Sequence, residues 1–197
     1  MSKAKVLTSI IKVPLVKQKH EYDCGAAVTA SVMQAIGSKM KYRDIMASVG
    51  TTARYGTGSY AIHRFIEREA KPASAKVHYK MSTKRLMNSL FYGNPVLIII
   101  QAWASAKRTA YWLDEWKGSS EHYVILCGYT QEYVIMMDPA VGKYSKVSWP
   151  EFLMRWRTTT NTLLGSLFRS YFGTTMVLTG LDCGTVKVNV DKLEVMP

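Results

Sequence analysis

No stretch of this sequence is apolar for long enough to cross a bilayer. The longest wholly apolar run, Pro95-Val96-Leu97-Ile98-Ile99-Ile100, falls far short of the roughly 20 residues that a spanning helix needs. A secretion signal is missing too: Met1-Ser2-Lys3-Ala4-Lys5 is basic, but Lys12, Lys17 and Lys19 interrupt any apolar core behind it. The expected compartment is therefore the cytoplasm. Cysteine is scarce, and Cys24, Cys127 and Cys183 are too scattered, and odd in number, for a disulfide framework or a zinc ribbon. No pair among Cys and His has ligand spacing, so neither a metal nor a cofactor is expected. Only 6 prolines, with 48% hydrophobic and 20% charged residues, exclude a disordered chain. There is no internal repeat and no low-complexity segment, and 197 residues suffice for one domain with a sizeable core.

Acidic residues are few: 14 against 26 Lys and Arg, a net charge of +12, most of it in residues 1–80. Such an excess suits a polyanionic neighbour such as nucleic acid, or an acidic substrate. No base-reading motif accompanies it, so a solvated basic face that keeps the chain soluble explains it equally.

The first half reads as helical. Cys24 to Ile36 is rich in Ala, Val and Met around its whole circumference, the pattern of a buried central helix, with Gly37 to end it. Shorter helices are predicted over Tyr42 to Val49, then after Gly58 with Ala61, Ile62, Phe65, Ile66 and Ala70 on one face. A further helix is expected from the N-cap Ser82, with Leu86, Met87 and Leu90 inward. The second half changes to short β-branched and aromatic runs: Val96 to Ala102, His122 to Tyr129, Tyr133 to Met137, Tyr144 to Ser148 and Thr175 to Thr179. Pro150 opens a short helix, Glu151 to Trp156. Helices followed by strands predict an α+β domain over residues 1–180, with residues 181–197 as an extension that adds an edge strand or hangs free.

Four residues invite a chemical reading. Cys24 opens the central helix, where unpaired backbone N–H groups and the helix dipole favour a thiolate; a buried structural cysteine is the alternative. His122 opens a strand on which Val124 and Leu126 share its face, and Cys127 points away as core. Asp138 ends the neighbouring strand, where it either orients an imidazole or serves as a turn residue before Pro139. Gln18, six positions before Cys24, can reach back to join the Cys24 N–H in holding an oxyanion, or can be an ordinary loop residue. Tyr123, beside His122, is a candidate substrate contact. Trp112 and Trp116, in the aromatic and charged stretch Lys107 to Ser120, either line a cleft or cover core. Leu163, Leu164, Leu167, Phe168 and Phe172 read as core or a dimer surface.

Taken together these blocks resemble a family. Gln18-Lys19-His20-Glu21-Tyr22-Asp23-Cys24-Gly25-Ala26-Ala27 is similar to the Gln…Asp-Cys-Gly-x-Ala signature of the bacteriocin-processing, double-glycine-leader peptidases, a branch of the papain-like cysteine proteases. Tyr55-Gly56-Thr57-Gly58, Gly93-Asn94-Pro95-Val96, Glu121 to Tyr129 and Asp138-Pro139-Ala140-Val141-Gly142 follow in the family's order, and a helix with Phe152 and Trp156 comes after them. The resemblance spans residues 14–156. It implies a papain-like fold in which a nucleophile helix packs on an antiparallel sheet. It also implies a thiol peptidase with Cys24 as nucleophile, His122 as base and acid, Asp138 as orienter and Gln18 as oxyanion donor. The implied partner is a polypeptide substrate.

Unlike the transporter-fused members, this sequence carries no spanning segment and no ATP-binding motif, so a stand-alone peptidase, of a bacterial cell or a phage, is expected. Two other readings stay open. One is a catalytically idle papain-like domain that binds a peptide or nucleic acid, and the other a papain-like transpeptidase or amidase.

Overall fold

The apolar run that begins at Val96 becomes a strand buried along its whole length, and the sheet is built around it. The structure, a computed structural model, describes residues 7–79, 81–103, 121–156 and 175–196. The strands are β1 (Leu7–Ile11), β2 (Ser74–His78), β3 (Val96–Gln101), β4 (Glu121–Tyr129), β5 (Tyr133–Asp138), β6 (Lys143–Ser148), β7 (Thr175–Thr179), β8 (Thr185–Asn189) and β9 (Glu194–Val195). The helices are α1 (Cys24–Ala35), α2 (Tyr42–Ser48), α3 (Ser59–Glu69), α4 (Thr83–Phe91) and α5 (Trp149–Arg155). Lys107 to Ser120, with Trp112 and Trp116, and the apolar stretch Leu163 to Phe172 lie outside the described residues.

A seven-stranded sheet runs in the order β2-β7-β3-β4-β5-β6-β9, antiparallel throughout except for the short β6–β9 pair. Both faces of β3 and β4 are buried, which is why their sequences show no polar alternation. Helix α1 lies against β4, with every residue from Cys24 to Met33 buried. Its small side chains allow that close approach, and Ser31 Oγ ties it to the Pro14 carbonyl at 2.6 Å. Ser82 caps α4 by accepting from the Arg85 N–H, and Leu86 and Leu90 are buried while Met87 is half-buried.

The order of helices and strands departs from the sequence reading in two places. Strand β1 precedes all the helices, and β2, which carries His78, stands between α3 and α4 at the sheet edge beside β7. The tail from Thr185 forms β8, which pairs with β1 in a separate two-stranded sheet, and β9. Strand β1 lies across β4 so closely that a Cβ at Gly128 would sit 2.5 Å from Ile10 Cγ2. From there the chain runs through residues 12–23 into α1.

Candidate active site

Residues 18–23 fold into a tight loop because Asp23 binds its own chain. Its buried carboxylate accepts the backbone N–H groups of Lys19 at 3.1 Å and His20 at 3.0 Å, and its second oxygen meets His20 Nδ1 at 3.0 Å. The His20 ring stacks on Tyr22 with centroids 5.0 Å apart. Asp23 stands at the N-cap position of α1, yet its side chain makes no cap hydrogen bond. The first N–H groups of α1, beginning with that of Cys24, are thus left uncapped by a side chain at the positive end of a twelve-residue helix.

His122 and Asp138 meet through the sheet. One step beyond the Ile125–Met137 pair brings Asp138 opposite Val124, hence diagonal to His122 on one face. Asp138 Oδ1 accepts from His122 Nε2 at 2.8 Å and from the Ala140 N–H at 2.9 Å, and both side chains are fully buried. The other ring nitrogen, Nδ1, has no hydrogen-bond partner. Burial opposes charge on this imidazole, but the Asp138 hydrogen bond and then the interaction with Cys24 outweigh it, raising its pKa from the ordinary 6.5 to about 9. The geometry therefore sets a ring fixed by Asp138 through Nε2, with its pKa pushed up, beside the thiol of Cys24.

The Asp138 turn also holds the Gln18 segment. The Gln18 N–H donates to the Pro139 carbonyl at 2.9 Å, and a Cβ at Gly142, whose φ is 69°, would sit 2.7 Å from Lys17 Cβ. The half-buried Gln18 side chain donates from Nε2 to the His20 carbonyl at 2.8 Å, while Oε1 is buried without a partner. Gln18 is thus anchored between the turn of Asp138 and the loop of Cys24.

Tyr123 is buried, and its hydroxyl donates to the Thr57 carbonyl at 3.1 Å. Burial is the main cause that raises its pKa, with the nearby Cys24 next. Thr57 in turn fills the space over Gly25, where a Cβ would meet Thr57 Cβ at 2.6 Å. The glycine after the cysteine is required by this contact between the Gly56-Thr57-Gly58 turn and α1. Sequence reasoning passed over the clasping role of Asp23, and it missed Trp103 altogether, whose indole lies against the His122 ring with centroids 5.0 Å apart. For Asp23 the lone aspartate before Cys24 signalled only where a helix starts; for Trp103 the sequence offered no signal. Among the described residues, no group of three or more His, Cys, Asp or Glu side chains is placed to hold a metal ion.

The model of the Peptidase_C39 like family matches residues 10–164. The chain belongs to the Peptidase_C39 like family. Solved structures agree with the fold. The chain is similar to a putative C39-like peptidase from Bacillus anthracis, with a TM-score of 0.60 at 20% identity over 86% of this chain and 97% of that one. It is also similar to a double glycine motif protease from an AMS/PCAT transporter, solved in complex with the leader peptide (TM-score 0.58, 19% identity, 86% and 92% covered). A third is the peptidase domain of Streptococcus ComA, a bifunctional ABC transporter involved in a quorum sensing pathway (TM-score 0.57, 20% identity, 84% and 97% covered). No curated protein matches this sequence. As a member of this family the chain has the papain-like α+β fold of a cysteine peptidase, and no helix among the described residues is long and apolar enough to cross a membrane.

Proposed function

We propose that this protein hydrolyses a peptide bond of a polypeptide substrate through a thioester on Cys24. The observation that carries the reading is the fully buried His122–Asp138 hydrogen bond of 2.8 Å, which raises the pKa of an imidazole set beside the thiol that opens α1. In this scheme the Cys24 thiolate attacks the scissile carbonyl carbon, and the carbonyl π electrons move to oxygen. The uncapped Cys24 N–H and the Gln18 amide stabilise that oxyanion. His122 passes its Nδ1 proton to the departing amine as the C–N bond breaks and leaves a thioester. Neutral His122 then takes a proton from water, whose hydroxide adds to the thioester, and keeps it as the C–S bond breaks and the acid leaves, which restores the Cys24 thiolate and the protonated imidazole. Asp138 holds the ring by Nε2 throughout, which keeps Nδ1 on the thiol side.

The fold neighbour bound to a leader peptide supports a peptide substrate, and the double-glycine description of that protease makes Gly-Gly peptides the first to try. The test incubates the protein with a peptide library that includes Gly-Gly sequences and reads the products by mass spectrometry. Cleavage is expected from the parent and is expected to vanish in folded Cys24→Ala and His122→Ala variants, a loss on the order of a thousandfold or more. Cleavage that persists in folded Cys24→Ala would remove Cys24 from the mechanism. Binding without turnover in the parent would favour an idle peptide-binding domain.

A further inference from the structure

We propose that the cleft between α2 and α3 binds single-stranded nucleic acid, with Arg64 and Arg68 on its phosphates and Tyr60 stacked on a base. The site is separate from Cys24, and the proposal stands whether or not the chain cleaves peptides.

The cleft follows from the sequence of α3. Tyr60, Arg64 and Arg68 recur every four residues, so they form one stripe along the helix, each about 6 Å further along the axis than the last. Ala61 and Phe65 stand beside that stripe, and Phe65, being buried, gives the cleft an apolar floor. Ser48, the last residue of α2, completes the lining. Together these residues line a cavity of about 300 Å³, at the small end of the range for ligand sites.

Two features choose the occupant. The first is charge. Among the described residues Arg64 has no carboxylate partner, and its guanidinium lies instead over the Tyr60 ring, 5.8 Å from the centroid. The acids nearby in the sequence are engaged: Asp44 with Arg43 at 3.4 Å, Glu67 with Ser74 Oγ and the Ala75 N–H on β2, and Glu69 with Arg68. Both partners of that last pair are exposed, so a phosphate can compete for Arg68. Across residues 39–71 Lys and Arg outnumber Asp and Glu by more than two to one. One helical turn between the two arginines suits neighbouring phosphates of a single strand.

The second feature is aromatic surface. Tyr60 is 71% exposed, and Tyr55, on the turn that leads into α3, is 77% exposed with the Arg54 guanidinium 5.0 Å from its ring centroid. Tyrosine rings open to solvent and paired with arginine offer a face for a base and a cation for the backbone. An acidic peptide would use the arginines and leave the rings idle, whereas every base has a face to lay on them. A duplex keeps its bases stacked inside and cannot offer them.

The test titrates the whole chain into short labelled oligo-dT and oligo-U and reads fluorescence anisotropy at rising KCl, beside a duplex of equal length and an oligo-glutamate peptide. The single strands should bind, and the duplex and the peptide should bind at least about tenfold more weakly. Arg64→Ala and Arg68→Ala should each weaken binding and flatten the log–log salt dependence by about 0.7, the slope of one phosphate contact. Tyr60→Leu should weaken it about fivefold or more, while Tyr60→Phe, which keeps the ring, stays near the parent. Lys187→Ala removes the same charge from an exposed residue of β8, outside the cleft, and should change the affinity little. All these side chains are exposed, so the melting curve should stay that of the parent; should Arg64→Ala fail to fold, Arg64→Gln gives the same test. Failure of both single strands to bind would overturn the proposal. So would a duplex bound as tightly as the single strands, which is phosphate attraction alone, or oligo-glutamate bound as tightly, which makes the cleft an acidic-peptide surface. A loss in Lys187→Ala equal to that in Arg64→Ala, or full affinity in Tyr60→Leu, would overturn it as well.

Discussion

Two His–Asp pairs flank Cys24, and they are built for different ends. His20 and Asp23 are three residues apart, with a 3.0 Å contact and a His20 side chain 51% exposed. His122 and Asp138 come from two strands, meet at 2.8 Å, and are both fully buried. The first pair shapes a loop: Asp23 gathers two backbone N–H groups as well as the ring, and most of its hydrogen bonds would survive loss of the histidine. The second shapes a charge: the ring gains its proton affinity from Asp138 and Cys24 against the penalty of burial. Proximity of an imidazole and a carboxylate is therefore a weak sign of function by itself. Burial of both partners, and the direction left to the second ring nitrogen, separates the candidate acid and base from a structural clasp.

The largest expected effect comes from removing each carboxylate in turn. Asp138→Ala should lower kcat by about a hundredfold or more, because the ring loses both its orientation and its charge partner. Asp23→Ala should act chiefly on stability, costing about 1–3 kcal/mol for the buried hydrogen bonds it strands. Steady-state kinetics beside thermal melts would check this, and an Asp23→Ala enzyme as slow as Asp138→Ala at undiminished melting temperature would erase the distinction.

A middle-sized effect concerns pH. His122 has a pKa of about 9 in the folded chain against an ordinary 6.5, so its protonated form stabilises the fold fully below 6.5. That contribution is lost as the pH climbs towards about 9. Melting temperature should fall across this window, and His122→Gln should flatten the slope. A parent that grows more stable over the same range would contradict the assigned shift. The smallest effect belongs to His20→Ala, expected to cost less than about 1 kcal/mol, as half-exposed pairs do, with cleavage nearly unchanged; a large loss of kcat would promote His20 into the chemistry.

What the sequence made legible follows the same division. The helix that begins at Cys24 was readable because small apolar residues surround it, and β3 to β6 because their runs are long and bounded by turns. Strand β1 was not, since Leu7–Ile11 is short and its partner β8 lies at the far end of the chain. Strand β2 was hidden by its polar sequence, Ser74-Ala75-Lys76-Val77-His78, which suits an edge. Gln18, Cys24, His122 and Asp138 were named from the sequence, and the fold brings the last three to one place. The sequence could not show how Asp23 clasps its loop, because one aspartate can cap a helix or bind its own backbone with equal ease. Trp103 was beyond it too, since its left-handed backbone, with φ at 59°, is imposed by tertiary contacts and leaves no local pattern. Tyr123, expected to touch substrate, has its hydroxyl engaged by the Thr57 carbonyl.

The central claim is that His122 activates Cys24, and the rate of alkylation by iodoacetamide at each cysteine, mapped by mass spectrometry in the parent and in His122→Ala, tests it most directly. Burial raises the pKa of the Cys127 thiol, and burial and Asp182 raise that of Cys183, so both are internal references for a sluggish thiol. The account predicts that Cys24 is labelled fastest at neutral pH and that its rate falls sharply in His122→Ala while the other two stay as they were. A Cys24 rate that matches Cys183, or one that is indifferent to His122, would contradict it.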